Sequence, residues 1–397
     1  MAQVKDTAYF KKLLVQFMGE ADPLFEMLKW FMHRLMDIEA SGKVGAEKGK
    51  HTRERKTFFS GTRVRRFDTR LGTVYLLVPK LRNGGYIPFF VTEKTRAEHA
   101  LVQVVQEAFI NGISTRKIER LAKSLGIENI SAGQVSEINR DLNRYVDEFR
   151  SRPLQKEYPV IWVDALYEKI RDNDRVVNMA ILVVHGINLE GKREILGVEP
   201  MYDESSASWG SLFRQLKARG LDRVWLVVSD AHQGIQHAVR EHFLNCSWQR
   251  CKVHFMRNIQ AHVRHQDKVR FGDRLKQIWL QPDRKGALRI AQAMIEDYGD
   301  KYPVAIQCLE EGLEDSLQFY GFEFLDKRKI SSTNVLERLN KEIRRRSRVV
   351  GVFPSKDSYL RLLVCYLLEY SEDWTTEKSY ISKDALLSQR AVLDSAA

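Results

Sequence analysis

Two short apolar runs, Pro159 to Val163 before Asp164 and Val224 to Ser229 before Asp230, constrain this chain more than any other feature. Each is rich in β-branched and aromatic residues and bounded by polar residues, so each is predicted to be a strand buried on both faces. Such strands belong to α/β sheets covered by helices. Around them the pattern alternates. "VVNMAILVVHGINLEGKREILGVEPM" reads as two strands about the turn "NLEGK", "SASWGSLFRQLKARG" as a helix ended at Gly220, and "QGIQHAVREHF" as a helix before a strand near "SWQRCKVH". The order βββαβαβα is an antiparallel trio feeding parallel crossovers.

Both runs end in an aspartate. If they are sheet neighbours about 4.8 Å apart, Asp164 and Asp230 can share a divalent cation, at the carboxyl ends of strands where open α/β sheets bind ligands. Mg²⁺ or Mn²⁺ takes only a few carboxylates and keeps waters and phosphate oxygens, and a two-ion site needs a bridging group, so a third acid is expected. Glu337 is the choice, with Glu342 the rival. The ordinary alternatives are caps or turns for the aspartates and an i,i+4 pair with Lys341 for Glu337.

Glu337 lies in "TNVLERLNKEIRRRSRVVGVFP", a helix that gathers Arg338, Lys341, Arg344, Arg345, Arg346 and Arg348 around two glutamates. Cations so concentrated suit a nucleic-acid backbone held beside the metal ligands. The formal net charge of +12 points the same way, to a polyanion. Residues 43–82 hold twelve Lys and Arg against three acids. In that basic neck Arg63, Arg65 and Arg66 are candidate DNA contacts, against a plain solvated linker.

Residues 23–40 read as an amphipathic helix, and "TRLGTVYLLVPK" with "GGYIPFFV" as a short antiparallel pair joined by "LRNGG". Residues 101–150 read as three helices broken at "NGIS" and "GIENISAG", with Ser131 an N-cap, a helix-turn-helix pattern that a simple bundle would also give. With seven basic and seven acidic residues, this segment is no cationic surface by itself. From His254 to about residue 324 the pattern is almost wholly helical. No run reaches the roughly 18 apolar residues of a membrane span, and the start lacks a signal-peptide core, so an intracellular protein is expected. Four cysteines are too few for a disulfide framework. Cys251 and His254 could be a zinc fragment completed by Cys246 with His262 or His265, or a pair that buttresses the site. His232 contacts phosphate or a loop. Trp162, Trp225 and Trp248 are expected in the core, while Trp209 sits in a polar stretch.

The blocks "WVDALYEKIR", "REILGVEPMYDESSASW", "LVVSDAHQGI", "SWQRCKVHFMRN" and "STNVLERLNKEIRRRSRVVGVFP" together resemble the Mutator-type transposases of bacterial insertion sequences, over roughly residues 55–376. The resemblance implies a ribonuclease-H-like domain with an Asp-Asp-Glu triad, which falls on Asp164, Asp230 and Glu337, and a Cys-x-x-His motif on Cys251 and His254. Val335 departs from the proline common among relatives. It further implies two Mg²⁺ or Mn²⁺ ions, hydrolysis at element ends, and attack of a 3′-OH on another phosphodiester. No covalent protein-DNA intermediate is then needed, so Tyr167 need not be a nucleophile. The implied partners are double-stranded DNA, as element ends and target, and a second copy of the chain on that DNA, in the bacterial cytoplasm at the nucleoid and without a membrane. A nuclease of the same fold without strand transfer, and a non-catalytic helix-turn-helix regulator, are the rival functions.

The expected fold is α/β: a ribonuclease-H-like mixed sheet interrupted by an all-helical insertion and preceded by a helix-rich DNA-binding region. The expected organisation is a helical segment and basic neck over 1–56, a β-rich segment over 57–100 and a helix-turn-helix-like domain over 101–150. A catalytic domain follows over 151–256 and 325–376, split by the insertion at 257–324, with a tail over 377–397.

Overall fold

The structure, a computed structural model, describes residues 11–395 apart from 51, 84, 92–98, 125, 126, 128, 129 and 377. Two units divide the chain, residues 1–141 and 142–397.

In the first unit, α1 (Pro23–Val44) starts on an Asp22 cap, with Pro23 in the first turn, and ends on Gly45 at φ 75°. Its Met32, Met36 and Ala40 pack with Phe67, Val74, Leu76 and Val78 of an antiparallel hairpin, β1 (Phe59–Thr69) and β2 (Gly72–Leu81). The hairpin corrects the sequence reading. The basic neck itself forms one strand, exposed or half-exposed from Phe59 to Arg66 and buried only at its end, from Phe67 to Thr69. "GGYIPFFV" forms no strand among its described residues; the Tyr86 hydroxyl instead donates to the Met36 carbonyl and the Glu39 carboxylate. Three helices follow: α2 (His99–Ile110), α3 (Thr115–Ser124) and α4 (Ala132–Ile138). Ser131 caps α4 in a reciprocal box with Gln134. Part of the break before it lies outside the described residues.

The second unit begins earlier than expected, because α5 (Asn143–Ser151) packs against the long helix α14 (Lys356–Thr376) rather than closing the first unit. Among the described residues, five strands form a mixed sheet. They are β3 (Glu157–Asp172), β4 (Arg175–Ile187), β5 (Arg193–Met201), β6 (Arg223–Ser229) and β7 (Ser247–Arg250), in the spatial order β5-β4-β3-β6-β7. β3, β4 and β5 are antiparallel neighbours, and β6 and β7 join parallel. The crossovers are α6 (Ser206–Ala218) and α7 (Gln233–His242). Their apolar faces cover Ile161, Val163, Leu182 and Val184 in a fully buried core. Trp209, with no exposed surface, packs there on Phe213; its polar sequence neighbours had disguised a core residue.

β3 does not end at Asp164, as the sequence suggested. It continues to Asp172, paired with β4 throughout, while its parallel pairing with β6 stops at Trp162 opposite Val228. Asp164 therefore sits mid-strand, at the notch where one neighbour leaves.

Beyond β7 the chain is helical: α8 (Lys252–Ala261), α9 (Lys268–Lys276), α10 (Arg284–Tyr298), α11 (Pro303–Leu313) and the short α12 (Lys327–Ile330) lead to α13 (Asn334–Ser347) and α14. The supposed tail is instead a helix, α15 (Lys383–Ser395), anchored by Arg390 on buried Glu157 at 2.9 Å and Asp394 on Arg223. Among the described residues no helix is long and apolar enough to cross a membrane.

Candidate active site

Alternation along β3 puts Trp162, Asp164 and Glu168 on the face away from α6 and α7. Extending the register by two residues from Trp162 and Val228 brings Asp164 beside Asp230, just past the end of β6. α13 lies over this face, and after it Phe353 forms a parallel bridge with Ile170 on the edge of β3 that β6 has left. The Asn340 amide of α13 donates to Asp164 Oδ2 at 2.7 Å, and further along, Ser347 donates to Glu168 at 2.5 Å. The helix thus runs along the free half of β3 and carries Glu337 to the notch. Its buried stripe of Leu336, Leu339 and Ile343 holds it there.

The turn before α13 is fastened on both sides. Trp162 Nε1 donates to the Ser332 carbonyl at 3.1 Å, and the Lys252 amide donates to the Ser331 carbonyl. The Thr333 amide and hydroxyl both donate to Cys251 Sγ at 3.3 Å. Cys251 is fully buried, tied to β6 by its amide on the Ser229 carbonyl, and His254 follows in the first turn of α8. The Cys-x-x-His pair thus spans a strand end and a helix start, and joins β6 to the turn that aims Glu337. Its thiol is lowered, since the His254 and Thr333 hydrogen bonds outweigh the effect of burial.

His254 lies between the acids. Its Nε2 is 3.3 Å from Glu337 Oε1, and it is coupled by charge to Asp164. A hydrogen bond with Cys251 and these negative neighbours, working against burial, push the imidazole up to about 8. Arg257, one helical turn on, also reaches Glu337 Oε1 at 3.4 Å. The Asp164 carboxyl is pushed up to about 6, first by burial and then by repulsion from Asp230 and Glu204, against the pull of His254 and the Ala165 amide. Asp230 accepts the His232 amide at 3.2 Å, and the His232 ring lies 3.7 Å from Glu204. His232 Nδ1 accepts from the Gly234 amide, so it caps α7. Any Cβ at Gly234 would overlap the Glu204 carbonyl, which keeps the two loops in close approach.

Asp164, Asp230, Glu337, Cys251, His254 and His232 thus gather at one edge of the sheet. Hard oxygen donors, one of them half-buried and repelled by its neighbours, suit a hard divalent cation better than zinc. Among the described residues, however, no three acidic, His or Cys side chains already form a cluster able to hold a metal, and Glu337 is engaged by His254 and Arg257. Cys246, proposed for zinc, is pushed up to about 12 by burial.

Of the helix cations, Arg338, Lys341, Arg344, Arg345 and Arg348 are exposed. Arg344 and Arg348 bear on Glu168, and Arg345 pairs with Glu342 at 2.9 Å. Arg346 turns inward over Tyr366 and toward Glu369. Arg63, Arg65 and Arg66 belong to the other unit. There Arg63 donates to the Tyr86 carbonyl, Arg65 is half-buried, and Arg66 pairs at 3.0 Å with buried Asp68, so Arg66 is not offered to a ligand as the sequence suggested. Sequence reasoning missed Asn340, Arg257 and Glu204. The first two lie one turn from Glu337 and His254 on the same helix faces, a legible signal; Glu204 gave none.

The chain matches the family model described as "Transposase, Mutator family" over residues 1–377. It is 37% identical over 389 residues to the transposase for insertion sequence element IS1081 of Mycobacterium tuberculosis, covering 97% of this chain and 94% of that one. It is 33% identical over 390 residues to the transposase for IS256 in transposon Tn4001 of Staphylococcus aureus, covering 97% and 100%. The Drosophila P element transposase strand transfer complex overlays with a TM-score of 0.30 at 12% identity, over 77% of this chain and 85% of that one.

Proposed function

Because this chain belongs to the Mutator family of transposases, we propose that Asp164, Asp230 and Glu337 are the Asp-Asp-Glu triad of a ribonuclease-H-like catalytic domain. The chain is an insertion-sequence transposase acting on DNA; the triad is what cuts and joins it. The observation that carries this reading is the notch in the sheet, where Asp164 is half-buried beside Asp230 while α13 delivers Glu337 through Asn340 and His254. The strand order, with β3 central between an antiparallel pair and a parallel pair, supports the domain type.

The three carboxylates would hold two Mg²⁺ or Mn²⁺ ions, which supply activation of the attacking oxygen and charge stabilisation of the leaving one. Asn340 fixes the rotamer of Asp164, and the Cys251–Thr333 link fixes where α13 begins. His254 and Arg257 keep Glu337 at the site while it is not ligating. Arg338, Lys341 and Arg344 grip the phosphates flanking the scissile bond, so that the terminal 3′-OH is oriented for attack on target DNA. Two chains act together on paired element ends.

Asp164→Asn, Asp230→Asn and Glu337→Gln are each expected to abolish cleavage and strand joining while leaving binding to end DNA, read by anisotropy, within about threefold. Joining by any one of them in Mg²⁺ removes the triad assignment. Cleavage by the native chain without joining would make it a nuclease of the same architecture.

A further inference from the structure

Beside the candidate active site, a hollow of about 420 Å³ opens between α8, the end of α9 and the start of α13. Its size falls within the roughly 300–1,000 Å³ range of small-ligand sites. Lys252, Arg257 and Lys276 line it together with the apolar Met256, Trp279 and Leu280, and no acid is among its lining residues. Trp279 is nearly buried, held by its indole donation to Ser316 at 3.1 Å and its edge contact with Phe255, so that part of the wall is fixed. Leu280, by contrast, is 55% exposed. Burial holds Lys252 below the usual lysine range, and the charge of Lys276 adds to this against the pull of Cys251 and Asp326.

Three cations line an apolar hollow whose lining holds no acid, although Arg257 also reaches Glu337 outside it, and such a lining matches a ligand with a flat apolar body and an anionic edge. The hollow also shares residues with the site. Arg257 lines it and reaches Glu337, and Asn334 on its rim lies one turn before Glu337. The hollow therefore lies next to the notch, within one helical turn of Glu337.

We propose that this hollow is a nucleotide pocket, which takes one unstacked base of the DNA strand flanking the reacting phosphodiester between Met256, Trp279 and Leu280 while Lys252, Arg257 and Lys276 hold its phosphates. It rests on the reading of the notch as the strand-cutting site. The apolar walls receive the base on leaving the stack, and the cations release counterions from the backbone.

The test uses the full chain and end duplexes carrying 2-aminopurine at successive positions around the cleavage point. One position is expected to brighten severalfold on binding. In Met256→Trp, which fills the hollow, and in Lys276→Glu, which reverses its rim charge, that rise should be lost, with unchanged thermal melting reporting an intact fold. An abasic nucleotide at the same position should restore at least tenfold of the joining that Met256→Trp loses. No brightening at any position, or brightening that both well-folded variants retain, overturns the pocket. Asp164→Asn separates the two readings: it should keep the fluorescence rise while losing chemistry, and joining by Asp164→Asn would sink the triad without touching the pocket.

Discussion

Asp164 bears the conflict on which the site is built. A carboxyl raised to about 6 in the folded chain binds its proton more tightly there than when unfolded. Stability is therefore lost as pH climbs from about 4 to about 6 and stays lost above. A proton held roughly a hundredfold more tightly corresponds to about 3 kcal/mol, and an asparagine forfeits about 1 kcal/mol in hydrogen bonding. Asp164→Asn, measured in EDTA, is thus expected to be about 1–2 kcal/mol more stable than the native chain at pH 8, with the gain shrinking toward pH 4. Adding Mg²⁺ should raise the melting temperature of the native chain and not of the variant. A gain independent of pH would mean that burial and repulsion are not what strains the residue. Asp164 and Asp230 were legible because a charge closing an apolar run is costly unless it has a task. Glu204 was not, since nothing local in "MYDESSASW" says that its loop folds back onto the loop after Asp230.

At the scale of elements, α13 and the hairpin make opposite cases. α13 is legible in the sequence because helix periodicity, Glu337 and the cations all lie within fourteen residues. Replacing Arg338 and Lys341 by alanine is expected to weaken end binding and reduce the slope of log affinity against log salt by about 2, with cleavage geometry intact. An unchanged slope would show that these cations face solvent only. The hairpin is not legible, because Arg63, Arg65 and Arg66 mask a strand, and Tyr86 with its neighbours looks like one. Its buried face packs on α1, about forty residues away in sequence, through Met36 in the core and the Leu77 amide, which donates to His33. Likewise β3 overruns Asp164 because its antiparallel partner β4 keeps pairing after β6 has gone.

For the whole molecule, the C-terminal helix shows how far closure reaches. Glu157, at the start of β3, is 6% exposed and satisfied by Trp225 at 2.6 Å, Arg223 at 3.4 Å and Arg390 of α15 at 2.9 Å. Removing one partner of a buried charge costs on the order of 1–3 kcal/mol. Arg390→Ala is therefore expected to lower the urea midpoint, and the double variant with Glu157→Gln to recover part of it; additive losses would deny the coupling. The sequence alone determined the strand and helix alternation, the acids that follow two apolar runs and the cationic face of α13, because these are properties of neighbours along the chain. Tertiary structure alone decided that α13 lies over the free half of β3, that Cys251 reaches across to Thr333, and that Glu337 meets His254 and Arg257. Those contacts join residues as many as 179 positions apart, and only the packing of the sheet against its helices brings such positions within hydrogen-bonding distance.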